Sequence, residues 1–175
     1  MIELRSLLIG LTVAAGTAAC DRPNGAAAEK AAAPAILVYD DVRSDLADMF
    51  DLRSGRYAQI PDEDIPDPTR SRSDIGGAID LCSNAEFHCR DDGLYLAIPK
   101  GRLTDSWTFL GIACRSRPVN GARSYRIVCR AGSRPVETEF IYSRPQGILS
   151  YTHRCAECRP QNYVLVGEVG LFAQP

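Results

Sequence analysis

The chain has 175 residues, 45% of them apolar and 24% charged, with a formal charge of −2. This composition excludes a wholly disordered chain. The lack of a basic excess argues against a nucleic-acid partner, although it leaves a local basic patch open.

Residues 1–20 are read first. Glu3 and Arg5 precede an uncharged, mostly apolar run from Ser6 to Ala19, and Thr17-Ala18-Ala19 lead into Cys20. That run is shorter than the ~20 residues a membrane-spanning helix needs. A short apolar core with a small-residue exit fits an export signal. The stretch resembles a bacterial lipoprotein signal peptide, with Thr17 standing where such signals most often carry an aliphatic residue. The resemblance covers residues 1–20 alone. It implies removal of residues 1–19, a diacylglyceryl group on the Cys20 sulfur and a further acyl chain on the new amino terminus. Two or more chains hold a protein stably at a membrane. Asp21 resembles the inner-membrane retention signal of enterobacterial lipoproteins, a rule that not all bacteria share, so inner or outer membrane stays open. The implied location is the periplasmic side of the cell envelope.

Residues 20–35 are rich in alanine and interrupted by Pro23, Gly25 and Pro34. They carry no large apolar side chain, so they read as a tether and not as part of a core. Residues 36–175 are long enough for one domain with a real core.

Within that domain, Ala35 to Tyr39 is an apolar run and a first predicted strand. Val42, Leu46, Met49 and Phe50 recur at helical spacing after Asp41, which predicts one short helix capped by that aspartate. Tyr57 to Ile60 reads as a strand. Pro61 to Gly77 holds three prolines and the acidic residues Asp62, Glu63, Asp64 and Asp67, and it reads as a long exposed loop. Its acids lack the spacing and the glycine of a calcium loop.

From Ala78 onward short strands alternate with turns. The expected strands are Ile79 to Ser83, Glu86 to Arg90, Leu94 to Ile98, Trp107 to Arg115, Arg123 to Arg130, Val136 to Tyr142, Ile148 to Thr152 and Tyr163 to Val169. Asn120-Gly121 is a hairpin signal. Arg-Pro recurs at residues 117, 134, 144 and 159, as turn punctuation between strands. The fold class is therefore mainly β: a small antiparallel meander, barrel or sandwich, stapled by disulfides.

With Cys20 assigned to lipid, six cysteines remain, and an exported chain would pair them. Sequence order suggests Cys82–Cys89, Cys114–Cys129 and Cys155–Cys158 among 15 arrangements. The middle pair has the strongest physical support, since folding about Asn120-Gly121 brings its cysteines together. Cys155-Ala156-Glu157-Cys158 also has the spacing of a thiol–disulfide exchange motif, without the helix start that usually activates one. A zinc reading would combine Cys155 and Cys158 with Cys82, Cys89, His88 or His153, but the spacing is wrong for a usual knuckle. No catalytic residue, metal site or cofactor is assigned.

Arginines cluster at Arg115, Arg117, Arg123, Arg126, Arg130 and Arg134, and most of them are expected on the solvent face of a hairpin. The leading expectation is a membrane-tethered, non-enzymatic envelope module of protein-binding or structural role, whose partner would be another envelope protein. The alternatives are a redox protein using Cys155–Cys158 and, after it, a metal-binding protein.

Overall fold

A computed structural model of the chain describes residues 35–67, 77–78, 82–91, 94–121, 123–132 and 135–174. Cys20, the signal and all but the last residue of the tether lie outside the described residues. The described residues are mainly β, with a single 3-10 turn and no longer helix among them. In chain order the strands are β1 Ile36–Asp41, β2 Leu46–Asp51, β3 Arg56–Pro61, β4 Gly77–Ala78, β5 Phe87–Arg90 and β6 Leu96–Pro99. They continue with β7 Ser106–Phe109, β8 Ile112–Val119, β9 Ser124–Ala131, β10 Val136–Ser143, β11 Gly147–Cys155 and β12 Gln161–Leu165.

Ten strands form one antiparallel sheet in the order β4-β3-β2-β1-β12-β11-β10-β9-β8-β7. β5 and β6 form a separate hairpin. The first and last strands meet in the middle of the sheet, with Tyr39 opposite Leu165 and Asp41 opposite Tyr163. One meander runs outward from β1 and the other returns to it at β12. The sheet ends at β4 and β7, so among the described residues it is open and not a closed barrel.

Alternation along the strands assigns the faces. Leu37, Tyr39, Phe50, Ile127, Phe140, Tyr142, Tyr151 and Tyr163 point into one main core. The β5–β6 hairpin packs into that core with Cys89, Leu96 and Ile98. Aromatic contacts fasten it there: Phe87 stacks on Phe109 at 4.4 Å, and Trp107 Nε1 donates to Ala97 O at 2.7 Å. The opposite face of β1–β3 carries a second cluster, Val38, Ala47, Met49, Ala58 and Ile60, with Ile36 and Ile65 packed against it.

The predicted helix at Val42–Phe50 is a turn followed by β2. Val42 is 61% exposed, while Met49 and Phe50 point to opposite faces and enter different clusters. A strand apolar on both faces imitates a helical stripe when its two faces are read as one. Asp41 does cap, but it caps a turn: its carboxylate accepts from Ser44 Oγ at 2.7 Å and from the Arg43 amide at 3.3 Å.

Three further boundaries differ. Trp107 to Arg115 is two strands, broken by Leu110 and Gly111, both at positive φ. The strand expected at Ile79–Ser83 is absent from its described part, Cys82 and Ser83, and residues 79–81 lie outside the described residues. Ser83 and Asn84 instead cap β5, Asn84 Oδ1 accepting from the amides of Glu86 and Phe87 at 2.8 Å. The strand expected at Tyr163–Val169 stops at Leu165. The start of the acidic loop is a 3-10 turn, Asp62–Asp64, and Ile65 after it is packed against the second cluster.

The Asn120-Gly121 turn has both residues at positive φ, 51° and 67°, the requirement of the tight hairpin turn. Pro118 lies inside β8 and not in that turn. It is tolerated because β7 pairs with β8 only as far as Arg115, which leaves an edge where no ladder donor is needed.

Behind β11 the C-terminal segment crosses so closely that only glycine fits at two positions. A Cβ on Gly147, where φ is +76°, would collide with the Leu171 and Gly170 carbonyls. A Cβ on Gly170 would collide with the Ile148 carbonyl and the Tyr39 hydroxyl. Gly170→Ala is expected to lower unfolding stability by about 1–3 kcal/mol, the usual cost of overpacking. Urea unfolding checks it, and an unchanged midpoint would show that the segment can move aside.

Candidate functional site

The structure places the six domain cysteines in three disulfides. Cys114 and Cys129 face each other directly across β8 and β9, with Cα atoms 4.1 Å apart, and both are buried. Cys82–Cys89 ties the loop before β5 to that strand, with Cα atoms 5.0 Å apart. Cys155–Cys158 closes a bend at the end of β11. No helix begins there, so the backbone dipole that lowers a thiol pKa at exchange motifs is missing. Among the described residues no group of three or more His, Cys, Asp or Glu is placed to hold a metal.

The histidines are packed side chains. His88 stacks on Phe172 at 4.6 Å. Burial, aided by the charge of Lys100, pulls its imidazole down to about 4. Burial also lowers His153.

The interior holds a polar cluster among the tyrosines. Tyr151 donates to the Asp48 carboxylate, and Gln59 Nε2 donates to Tyr163 Oη at 3.1 Å. Burial pushes the Asp48 carboxyl up, while the bonds from Tyr151 and Gln59 and the charge of Arg90 oppose the shift. Arg90 is itself buried, with its guanidinium 3.8 Å from the Tyr57 ring centre. A cation on a desolvated aromatic face is attracted by the ring quadrupole. The cluster therefore holds β2, β3, β5, β11 and β12 together, with Gln59 reaching it from an exposed position.

The feature suited to contact with another molecule is the outer face of β8–β11. Alternation that sends Ile112, Cys114 and Ser116 inward sends Ala113, Arg115 and Arg117 outward. In β9 the outward residues are Arg126, Val128 and Arg130, in β10 Glu137 and Glu139, and in β11 Arg154. Arg126 makes a two-pronged contact with Glu139, both bonds 2.8 Å. That contact raises the Arg126 pKa. Arg130 binds Glu137 at 2.6 Å, and Arg154 reaches both glutamates at 3.2 and 3.6 Å.

Three arginines thus share two glutamates, and the two further arginines of the face lie on β8. The side chains of Arg115 and Arg117 make no hydrogen bond or ion pair among the described residues. Arg117 is also the register partner of Arg126, a like-charge pair directly across the ladder, which costs stability. Between these side chains runs an open groove of about 580 Å³, floored by Ala113 and Val128 and bordered by Ser106 and Thr108. It combines fixed positive charge, hydroxyl donors and a small apolar floor.

No known protein family matches the chain, and neither a curated protein nor a solved structure is significantly similar to it. The arginine cluster was visible in the sequence, and Arg115, Arg117, Arg126 and Arg130 do lie on the outer face of one hairpin. The spacing did not reveal that β10 brings in two glutamates that neutralise part of β9 and leave β8 uncompensated.

Two predictions follow from these geometries. The His88 pKa is lower in the folded chain than in the unfolded one, so the unfolded chain takes up the proton first. Its contribution to stability is therefore lost as pH falls from about 6.5 toward 4. Asp48, whose pKa is raised, acts in the opposite sense. His88→Gln is expected to lose less stability than the parent between pH 7 and 4.5, as read from urea midpoints. Equal losses would show that the imidazole is not shielded. Separately, Arg117→Glu replaces repulsion from Arg126 with attraction and is expected to raise Tm by ~1–3 °C. Calorimetry reads this, and a lower Tm would show that Arg117 has a structural partner.

Proposed function

We propose that the protein is a lipid-anchored module of the cell envelope that acts by binding a protein partner and not by catalysis. Cys20 carries the lipid, residues 21–35 are the tether, and the disulfide-stapled β domain presents the β8–β11 face. The observation that carries the reading is the uncompensated charge of Arg115 and Arg117 beside a groove, at a position where Arg117 costs the fold stability. Sites that give up stability locally are common where binding demands it. The resemblance of residues 1–20 to a lipoprotein signal supports the membrane anchor.

Two measurements test it on the full-length protein in its native membranes. Intact mass spectrometry without reductant is expected to find acylated Cys20 and three disulfides, and an unmodified Cys20 would remove the anchor. Cross-linking in the same membranes is expected to yield one discrete protein adduct, retained when Cys155 and Cys158 are both changed to Ser. Loss of the adduct in that double variant would transfer the function to the thiol pair.

A further inference from the structure

We infer that the β8–β9 face binds an extended acidic segment of a protein, with carboxylates at alternate residues. The inference rests on the protein-binding reading above and specifies the chemistry of the partner. Arg115 and Arg117 project from the same face of one strand, two residues apart. Along a strand that spacing is about 6.8 Å. An extended peptide lying along β8 presents every second side chain to the sheet at the same interval. One carboxylate would meet Arg115. The next would meet Arg117, where the facing Arg126 has two of its nitrogens on Glu139 and a third left for a ligand. An arriving carboxylate would also neutralise the Arg117–Arg126 repulsion, so part of the affinity comes from relieving a cost already present in the free protein. The small floor at Ala113 and Val128 lets a backbone approach, and the Ser106 and Thr108 hydroxyls face the same groove.

The arrangement disfavours other polyanions. Glu137 and Glu139, one strand away from β9, already occupy Arg126, Arg130 and Arg154, so phosphates spread across the face would find free charge mainly along β8. The unpaired charge forms a short line on one strand, whereas nucleic acid is held by many phosphate contacts.

The test uses the full-length protein in neutral detergent and two labelled twelve-residue peptides, each with three Asp in a Ser/Gly background. One spaces its Asp at every second residue, the other at every third. Fluorescence anisotropy is expected to show the first binding several-fold tighter, with affinity falling as salt rises. Arg115→Gln with Arg117→Gln is expected to weaken it about tenfold, and Arg53→Gln, on the distant β2–β3 turn, to leave it unchanged. Equal binding of the two peptides, or no effect of the double variant, overturns the inference. So does tighter binding of phosphatidylglycerol vesicles or single-stranded DNA that depends on the same arginines. If the peptide fails while the native cross-linked adduct persists, this surface is wrong and the protein-binding reading survives. If both fail, that reading falls as well.

Discussion

Pairing between the first and last strands is the constraint on which the rest of the structure depends. β1 and β12 join two meanders that would otherwise be separate sheets. The junction is reinforced from both sides. The Asp41 carboxylate accepts from the Asn162 amide at 3.1 Å, and the Val42 amide donates to Asn162 O at 3.0 Å. At the same seam the buried Tyr39 hydroxyl donates to Ile148 O and accepts from the Leu171 amide, both at 2.8 Å. One side chain thus ties β1, β11 and the C-terminal segment, which explains why Gly147 and Gly170 have no room for a Cβ. Burial pushes the Tyr39 pKa up, so the hydroxyl stays a donor across the physiological range. Long-range closure of this kind is slow to form, since it requires most of the chain to be ordered first.

With the seam made, the β5–β6 hairpin finishes the core. Its aromatic and cationic side chains reach both arms of the sheet: Phe87 lies against Phe109 on β7, and Arg90 against Tyr57 on β3. Cys82–Cys89 stiffens the approach to this hairpin, and Cys114–Cys129 pins the β8–β9 ladder beneath the arginine face. The second disulfide ties the strand that displays Arg115 and Arg117 to its neighbour. A strand held in this way would need no ordering by a ligand of the kind proposed above.

The arginine face also shows how unevenly charge is compensated across one sheet. The Arg126–Glu139 and Arg130–Glu137 pairs are exposed at their arginine ends and contribute little to stability, as surface ion pairs generally do. Their effect is to fix where charge is satisfied and where it is not. β9 is compensated by β10, and β8 is left with a surplus. Beneath the other arm of the sheet Tyr151 pairs with Asp48, and Tyr163 pairs with the exposed Gln59, so that these partly and fully buried oxygens keep hydrogen-bond partners.

The mainly β class, most strand positions, the Asn120-Gly121 hairpin and the outward arginines were legible in the sequence, because each depends on neighbours within a few residues. Period-two alternation in Ile112–Val119 and Ser124–Ala131 assigns inside and outside with no knowledge of the partner strand. Two kinds of feature were not legible. β2 was misread because both its faces are buried, Met49 in one cluster and Phe50 in the other, and that depends on what packs on each side. The β1–β12 seam and the surplus charge on β8 depend on which strands become neighbours, a matter settled by tertiary contacts between residues more than a hundred positions apart or by a third strand entering the ladder. Local physics wrote the strands and the arginines. Only the assembled sheet decided that Glu137 and Glu139 would satisfy one strand of the hairpin and leave the Arg115 and Arg117 side chains on the other without an ion pair among the described residues.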